Sequence, residues 1–238
     1  MCIRSLPTRR NAHRGIAVRL FFLALAFMLI PSANKAAEKT PRFRILALAE
    51  HGGIHKPFVD AAKIWLAKVA DENNFAVDYI EDTAKIDDAF LANYALFIQL
   101  NYPPYNWTDT AQTAFIKYIE QGRGGWIGFH HATLLGEFDG FQIWPWFQKF
   151  MGGIRFKDYI ATFATGTVTV EDSGHPVMRG VPPHFQIENE EWYTWDTTPR
   201  PNVHVLATVD EKSYTPDTDR KMGGDHPVIW SNEHVKAR

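Results

Sequence analysis

The sequence predicts an α/β fold with an open parallel sheet covered by helices on both faces. Four short apolar segments alternate with spacers of helical length, in the order βαβαβαβ. Parallel strands are buried on both faces and therefore read as continuous apolar runs, and crossover helices join neighbouring parallel strands. The four predicted strands are residues 43–49, 75–80, 95–100 and 124–129.

Helix signals lie between these strands. Pro57 suits the first turn of a helix, where no backbone N–H donor is needed, and apolar residues recur at helical spacing over residues 58–69. A short helix is predicted over residues 87–94. Thr108 or Asp109 then caps a third helix. The apolar face of this third helix comprises Ala111, Ala114, Phe115, Tyr118 and Ile119.

The second half of the sequence is less regular. Residues 143–151 predict an aromatic-rich helix that Pro145 interrupts near its start. Further segments are β-like in composition, namely residues 165–170, 185–188, 203–209 and 227–230. No internal repeat, low-complexity tract or linker follows residue 37, so one domain is predicted over residues 38–238.

The first 37 residues read as a secretory signal and not as part of the fold. Five arginines precede an apolar run over residues 20–30, and small residues follow it. Basic residues, then an apolar run, then small residues is the order found in a signal peptide. The apolar run has about half of the ~20 residues that a membrane-spanning helix needs. Cleavage is expected after Ala36. We therefore expect an exported protein, periplasmic or extracellular, with no stable membrane span after cleavage.

Charge and cysteine content argue against two classes of function. Residues 1–37 hold six basic residues and no acidic one, so the remainder has 19 basic and 27 acidic residues and a net charge of −8. An acidic body without a basic run argues against nucleic acid as a partner, because Lys and Arg must replace the phosphate counterions. The only cysteine, Cys2, leaves with the signal, so no thiolate nucleophile remains.

The stretch from Gly124 to Ala132 carries the strongest functional signal. Open parallel sheets bind ligands in the crevice outside the carboxyl ends of their strands. Gly128-x-His130-x-Ala132 has the shape of a nucleophile elbow with a histidine at its apex. His130 and His131 are both candidate catalytic residues, as acid, base or metal ligand. We expect one to face the crevice while the other packs or caps, and a buried structural histidine is the alternative for each.

Two further histidines, His51 and His55, lie in the loop after the first strand, on the crevice side of the predicted sheet. With His130 they could form a three-imidazole site of the kind that binds Zn²⁺. The alternatives are a substrate-facing loop and simple surface histidines. The cofactor is therefore unknown at this point, with a divalent metal as one option.

Several short motifs accompany the elbow in a fixed order. They are Met151-Gly152-Gly153, His175-Pro176, Gly180-Val181-Pro182, Asn189-Glu190-Glu191-Trp192-Tyr193 and His226-Pro227-Val228-Ile229-Trp230. With these motifs, residues 42–238 resemble the ThuA-like (trehalose-utilisation) family of the class I glutamine amidotransferase-like superfamily. The resemblance implies a flavodoxin-like, Rossmann-like fold and a link to the catabolism of disaccharides or related sugars.

The sequence departs from the family pattern in two places. The amidotransferase relatives carry Cys where this chain has His130, so the resemblance does not imply a cysteine-dependent amidotransferase. The family also usually continues beyond the Pro-Val-x-Trp strand. Since this sequence stops at Arg238, we expect its C-terminal part to be truncated. The two His-Pro pairs, at His175 and His226, are expected to mark turns.

The resemblance also adds candidate site residues. Glu191 matches the acidic residue of a family motif and would orient the elbow histidine, and Tyr193 would hydrogen-bond a sugar hydroxyl. For Glu190 and Glu191 the alternative is a solvated acidic turn. Aromatic rings pack on the C–H faces of sugars, so residues 101–107 predict a carbohydrate wall. The substrate-binding candidates are His51, His55, Gln99, Asn101, Tyr102, Trp107 and Tyr193.

Two functions remain open. The first is an exported ThuA-like enzyme, a hydrolase or lyase that acts on a disaccharide or keto-sugar through His130, Glu191 and His131. The second is a non-catalytic carbohydrate-binding domain that lost amidotransferase chemistry along with its cysteine. Both have a small-molecule carbohydrate as partner, and both allow a homo-oligomer.

Overall fold

A computed structural model describes residues 40–138 and 140–236, which belong to the compact unit of residues 39–238. The predicted signal segment and Cys2 lie outside the described residues, so the export prediction stays a prediction. Within the two described ranges, no helix combines the length and the apolar character that crossing a bilayer requires.

The first half forms the predicted parallel sheet. Its strands are β1 (Arg44–Leu48), β2 (Ala76–Ile80), β3 (Leu96–Gln99) and β4 (Gly125–Gly128), in the spatial order β2-β1-β3-β4. All three pairings are parallel. Parallel neighbours end at the same edge of a sheet, so the residues that follow β1, β3 and β4 meet in one crevice.

Helices cover both faces of this sheet, as the apolar strands predict. The helices are α1 (Lys56–Asn73), α2 (Asp88–Leu91) and α3 (Asp109–Glu120). Successive side chains of a strand point to opposite faces. Ile45 and Ala47 accordingly pack in a core cluster with Val59 of α1. Leu46 packs on the other face, in a cluster that contains Phe115 of α3.

Local signals set the ends of these helices. Pro57 lies in the first turn of α1, and Asn74 ends that helix in the left-handed conformation with φ of 55°. Thr108 is the residue that caps α3, because its side-chain oxygen accepts a hydrogen bond from the backbone N–H of Ala111 at 3.1 Å. Of the two predicted caps, the structure therefore selects Thr108.

The second half forms a short helix and a set of antiparallel strands. The helix is α4 (Pro145–Phe150), and Pro145 starts this helix instead of interrupting it, because a proline at the first helical position sacrifices no hydrogen bond. The strands are β5 (Phe156–Tyr159), β6 (Ala164–Val170), β7 (His184–Glu190), β8 (Tyr193–Trp195), β9 (His204–Thr215) and β10 (Pro227–Ser231).

These strands make two further sheets. One has four strands in the order β10-β9-β6-β7, and the other pairs β5 with β8. The predicted segments 165–170, 185–188, 203–209 and 227–230 are all strands of the four-stranded sheet. The sequence prediction missed β5 and β8. Glu190 ends β7, Glu191 lies in the connection and Tyr193 begins β8, so this part of the second half of the chain reaches the crevice of the first.

Candidate functional site

The site lies at the carboxyl edge of the parallel sheet. Asn101, two residues beyond β3, donates from Nδ2 to the backbone oxygens of Glu50 and Gly52, at 3.0 and 3.1 Å. Gln99, the last residue of β3, donates from Nε2 to the backbone oxygen of Tyr102 at 2.6 Å. Both amides are buried, and Asn101 ties the loop after β3 to the loop after β1, while Gln99 braces the loop after β3 from within. The two side chains therefore shape the crevice, and the N–H groups named above donate to backbone oxygens.

A sharp turn after β4 carries the elbow histidine. His130 has φ of 37°, a left-handed conformation that is uncommon for a residue with a side chain. It begins a single 3₁₀ turn over His130–Thr133, and Thr133 Oγ1 donates to the backbone oxygen of His130 at 2.7 Å. Strained backbone of this kind is concentrated at functional sites. Gly128 is needed before the turn, because a Cβ there would lie 2.6 Å from Cβ of Ala132.

Three imidazole rings converge at this turn. One ring nitrogen each from His55, His130 and His131 lies within 4.8 Å of the others. The ring centroids are 4.8 Å apart for His55 and His130, 4.2 Å for His55 and His131, and 5.4 Å for His130 and His131. Adjacent histidines were expected to point in different directions, and this expectation is wrong. The 3₁₀ turn places both rings on the side of His55.

The connection between β7 and β8 places two carboxylates beside these rings. His130 Nε2 lies 3.0 Å from Oε2 of Glu191, a hydrogen bond in which the imidazole donates to the carboxylate. His55 Nε2 lies 3.5 Å from the same oxygen. Glu190 Oε1 lies 3.7 Å from His130 Nδ1. Glu191 thus joins two of the three histidines and is not a solvated turn residue.

Burial sets the protonation of the cluster. Burial, together with the nearby His55 ring, lowers the pKa of His130 to about 4. Burial also lowers the pKa of His131 to about 4, although a hydrogen bond from its ring to the backbone of Asn101 opposes the shift. Burial raises the pKa of Glu190 and of Glu191. At neutral pH His130 and His131 are therefore neutral imidazoles, which accept protons or bind metal ions.

Two tyrosines border the cluster. The ring of Tyr193 is 4.1 Å from that of His130, and it packs edge-on against Phe156 at 5.0 Å. The ring of Tyr102 is 6.1 Å from that of His131. Its hydroxyl lies over Gly53, where an added Cβ would be 2.6 Å away. Both tyrosines therefore lie beside the histidine cluster, and their role as substrate-binding residues stays a prediction.

Two predicted site residues lie elsewhere. The side chain of His51 is 72% exposed and pairs with Glu81, its Nε2 being 2.6 Å from Oε2. The third histidine of the cluster is therefore His131, and not His51. Trp107 is 5% exposed and stacks on Phe97 in the core, with ring centroids 5.6 Å apart. It does not form part of a carbohydrate wall, because its side chain is buried in the core cluster that also contains Phe115 of α3.

Glu50 is a candidate that the sequence analysis missed. It lies two residues beyond β1, at the same edge of the sheet as the elbow. Burial raises its pKa to about 7, against hydrogen bonds from the backbone N–H groups of Glu50 and Tyr102 that lower it. Its Oε2 has no hydrogen-bond partner among the described residues. A carboxyl group at the end of a predicted parallel strand was the signal available in the sequence.

His226 belongs to a buried hydrogen-bonded pair, and the prediction that it only marks a turn is wrong. His226 is fully buried, and its Nδ1 lies 3.0 Å from Oε1 of Glu211 on β9. Its Nε2 donates to the backbone oxygen of Tyr193 at 2.8 Å. Glu211 also accepts from the backbone of Met222, Gly223 and Gly224. This network fixes the strand that carries Tyr193. His175, in contrast, caps the short turn Pro176–Met178 as expected.

Comparisons with known proteins agree with this architecture. A ThuA-like protein from Bacteroides uniformis ATCC 8492 superposes with a TM-score of 0.73 at 32% sequence identity, over 83% of this chain and 80% of that chain. A ThuA-like protein from Parabacteroides merdae ATCC 43184 superposes with a TM-score of 0.56 at 16% identity, over 81% and 75% of the two chains, which supports the fold alone. No curated protein sequence matches the chain.

A family model supplies the assignment. The model for ThuA, described as trehalose utilisation, matches residues 44–238, which include every residue of the cluster described above. The family lies within the class I glutamine amidotransferase-like superfamily. The chain therefore belongs to the ThuA family, and this membership supports a sugar-related role.

Proposed function

We propose that this protein is an exported hydrolase or lyase that acts on a disaccharide or a keto-sugar through the cluster of His55, His130, His131 and Glu191. The observation that carries the proposal is the contact of 3.0 Å between His130 Nε2 and Glu191 Oε2 at a strained turn on the crevice edge. An imidazole oriented by a carboxylate is an arrangement that moves protons during catalysis.

The proposed reaction needs proton transfer at two kinds of atom. Hydrolysis or elimination at a glycosidic bond requires a proton on the departing oxygen, and elimination next to a keto group also requires a base for the α-proton. Neutral His130 supplies the base. The carboxyl groups closest to it are those of Glu190 and Glu191, and burial raises the pKa of each. Tyr193 and Tyr102 border the cluster and would pack against the sugar ring.

The test is turnover of a panel of disaccharides and their keto derivatives by the full chain, followed by chromatography of the products. His130→Asn is the informative variant, because asparagine tolerates the left-handed conformation that His130 adopts. Loss of acid–base catalysis should lower the rate by about 10²–10⁴-fold. The matched control is His184→Ala, which removes an exposed histidine on β7.

The outcomes separate the two functions. Turnover that is lost in His130→Asn and kept in His184→Ala supports the enzyme. Turnover unchanged in His130→Asn overturns the role given to His130. Sugar binding without turnover, in the wild type and in both variants, would favour the non-catalytic carbohydrate-binding domain. The observation that supports this second function is the histidine at the elbow, where the amidotransferase relatives carry a thiol nucleophile.

A further inference from the structure

Two buried ring nitrogens in the cluster lack a hydrogen-bond partner. They are Nδ1 of His131 and Nε2 of His55, counted against all residues that the structure describes, and the 3.5 Å contact of His55 Nε2 with Glu191 Oε2 is an ion-pair contact without the geometry of a hydrogen bond. His131 is only 9% exposed. A buried polar atom without a partner costs free energy, so such atoms in a native protein call for an explanation. Both atoms belong to residues of the three-histidine group whose ligand atoms converge.

We propose that His55, His130 and His131 bind a divalent transition-metal ion, with Zn²⁺ as the class that fits best. Three imidazoles are a ligand set typical of catalytic zinc, and they leave one coordination position open for water or substrate. Imidazole nitrogen also suits copper, iron and nickel, but not Mg²⁺ or Ca²⁺, which select oxygen ligands. The inference deepens the proposed function, since it concerns the same site.

The separation of the nitrogens is compatible with this ion. Tetrahedral zinc with Zn–N bonds of about 2.0–2.1 Å needs ligand nitrogens about 3.3–3.4 Å apart. The three nitrogens here lie within 4.8 Å of one another. Small rotations of the rings would therefore close the site. The loop of His55 and the 3₁₀ turn of His130 and His131 contribute from two elements, so such rotations leave the sheet in place.

The surroundings of the rings also match a metal site. Histidine ligands usually donate their second ring N–H to a carboxylate or a backbone carbonyl, which fixes the tautomer and the ring orientation. The ring of His131 makes such a hydrogen bond to the backbone of Asn101, and that of His130 makes one to Glu191. Glu190 and Glu191 also bring negative charge next to a dication. We assign Glu191 to this outer position, where it would accept a hydrogen bond from metal-bound water.

Metal binding by the full chain tests the proposal without any sugar. The protein is prepared without a histidine tag and stripped with a chelator. Zn²⁺ is then titrated by calorimetry, and Co²⁺ by its visible absorption, which reports the ligand geometry. We expect one equivalent of each ion per chain and the intense visible bands of tetrahedral cobalt. These readouts need neither a substrate nor activity.

Variants assign the ion to the cluster. His55→Ala should weaken Zn²⁺ binding by more than 100-fold and abolish the cobalt bands, because a ligand is lost. Glu191→Gln should weaken binding by about 10–100-fold, as expected for a partner of a ligand. His51→Ala is the matched control in the same loop and should bind as the wild type does. Thermal unfolding without metal checks that each variant is folded.

Three results would overturn the inference. They are the absence of a stoichiometric site in the wild type, equal affinity in His55→Ala and the wild type, and cobalt bands that survive in folded His55→Ala. The metal site and the sugar chemistry fail separately. Metal binding without turnover of any sugar would refute only the proposed function, and sugar turnover by a protein that gives any of these three results would refute only the metal site.

Discussion

The buried pair of Glu211 and His226 makes a quantitative prediction for the variant Glu211→Gln. Burial raises the pKa of Glu211, but the hydrogen bond from His226 and those from the backbone of Met222 and Gly224 outweigh it and lower the pKa from 4.5 to about 2. The residue is 5% exposed, so solvent screens these contacts little. Glutamine keeps the size of the side chain and removes its charge.

The free energy involved follows from linkage. One pKa unit corresponds to 1.36 kcal/mol, so the lowered pKa of Glu211 contributes about 3 kcal/mol to stability at neutral pH. A carboxyl whose pKa is lower in the folded state stabilises the protein above its unfolded pKa. That contribution is lost as the pH falls from about 4.5 to about 2. At pH 3 about 1.4 kcal/mol of it should remain.

The assay is urea unfolding of wild type and Glu211→Gln, followed by tryptophan fluorescence at pH 7, 4 and 3. We expect the variant to be less stable by about 3 kcal/mol at pH 7, with the difference roughly halved at pH 3. Other carboxylates titrate in both proteins and cancel in the difference. A difference near zero at pH 7, or one that is the same at every pH, would refute the assignment of Glu211 as a buried carboxylate paired with His226.

Three further predictions concern packing, capping and backbone strain, each measured by urea unfolding. Trp107→Ala should cost about 3–5 kcal/mol because its ring fills the core beside Phe97, and a cost below about 1 kcal/mol would contradict this placement. Thr108→Ala should cost about 1 kcal/mol through loss of the cap of α3, whereas the neighbouring Thr110→Ala should cost much less. A residue with a side chain loses about 1–2 kcal/mol of stability in the left-handed conformation. Gly53→Ala should lower the free energy of unfolding by more than this, because the new Cβ also meets Tyr102 Oη. Gly140→Ala has a similar φ but open space, so equal costs for both glycine variants would contradict the contact with Tyr102.

The parallel half could be predicted because its signals are local. A short, mostly apolar run such as residues 95–100, in which Gln99 is the one polar residue, admits few structures other than a buried strand. Thr108 and Asp109 before an amphipathic stretch likewise place the start of α3 to within one residue. The antiparallel half has weaker signals. Tyr193–Trp195 is only three residues long, and His204–Thr215 continues past its apolar part, through polar residues that include the buried Glu211.

The site could be predicted only in part, for a related reason. The position of His130 follows from the end of a strand, which the sequence marks with Gly128. Which histidines join it depends on loop and turn conformations. The 3₁₀ turn brings His131 into the cluster, while the loop after β1 directs His51 towards Glu81. The pair of Glu211 and His226 joins residues 15 positions apart, and neither differs in sequence from an ordinary surface residue.

The most direct test of the account is histidine modification with diethyl pyrocarbonate, mapped by mass spectrometry with and without a bound sugar. The sugar is the one from the disaccharide panel that gives the largest thermal shift. We expect it to protect His55 and His130, while His51 reacts equally in both samples because it is exposed and paired outside the cluster. A sugar that binds and leaves the reactivity of His55 and His130 unchanged would contradict the claim that this cluster is the functional site.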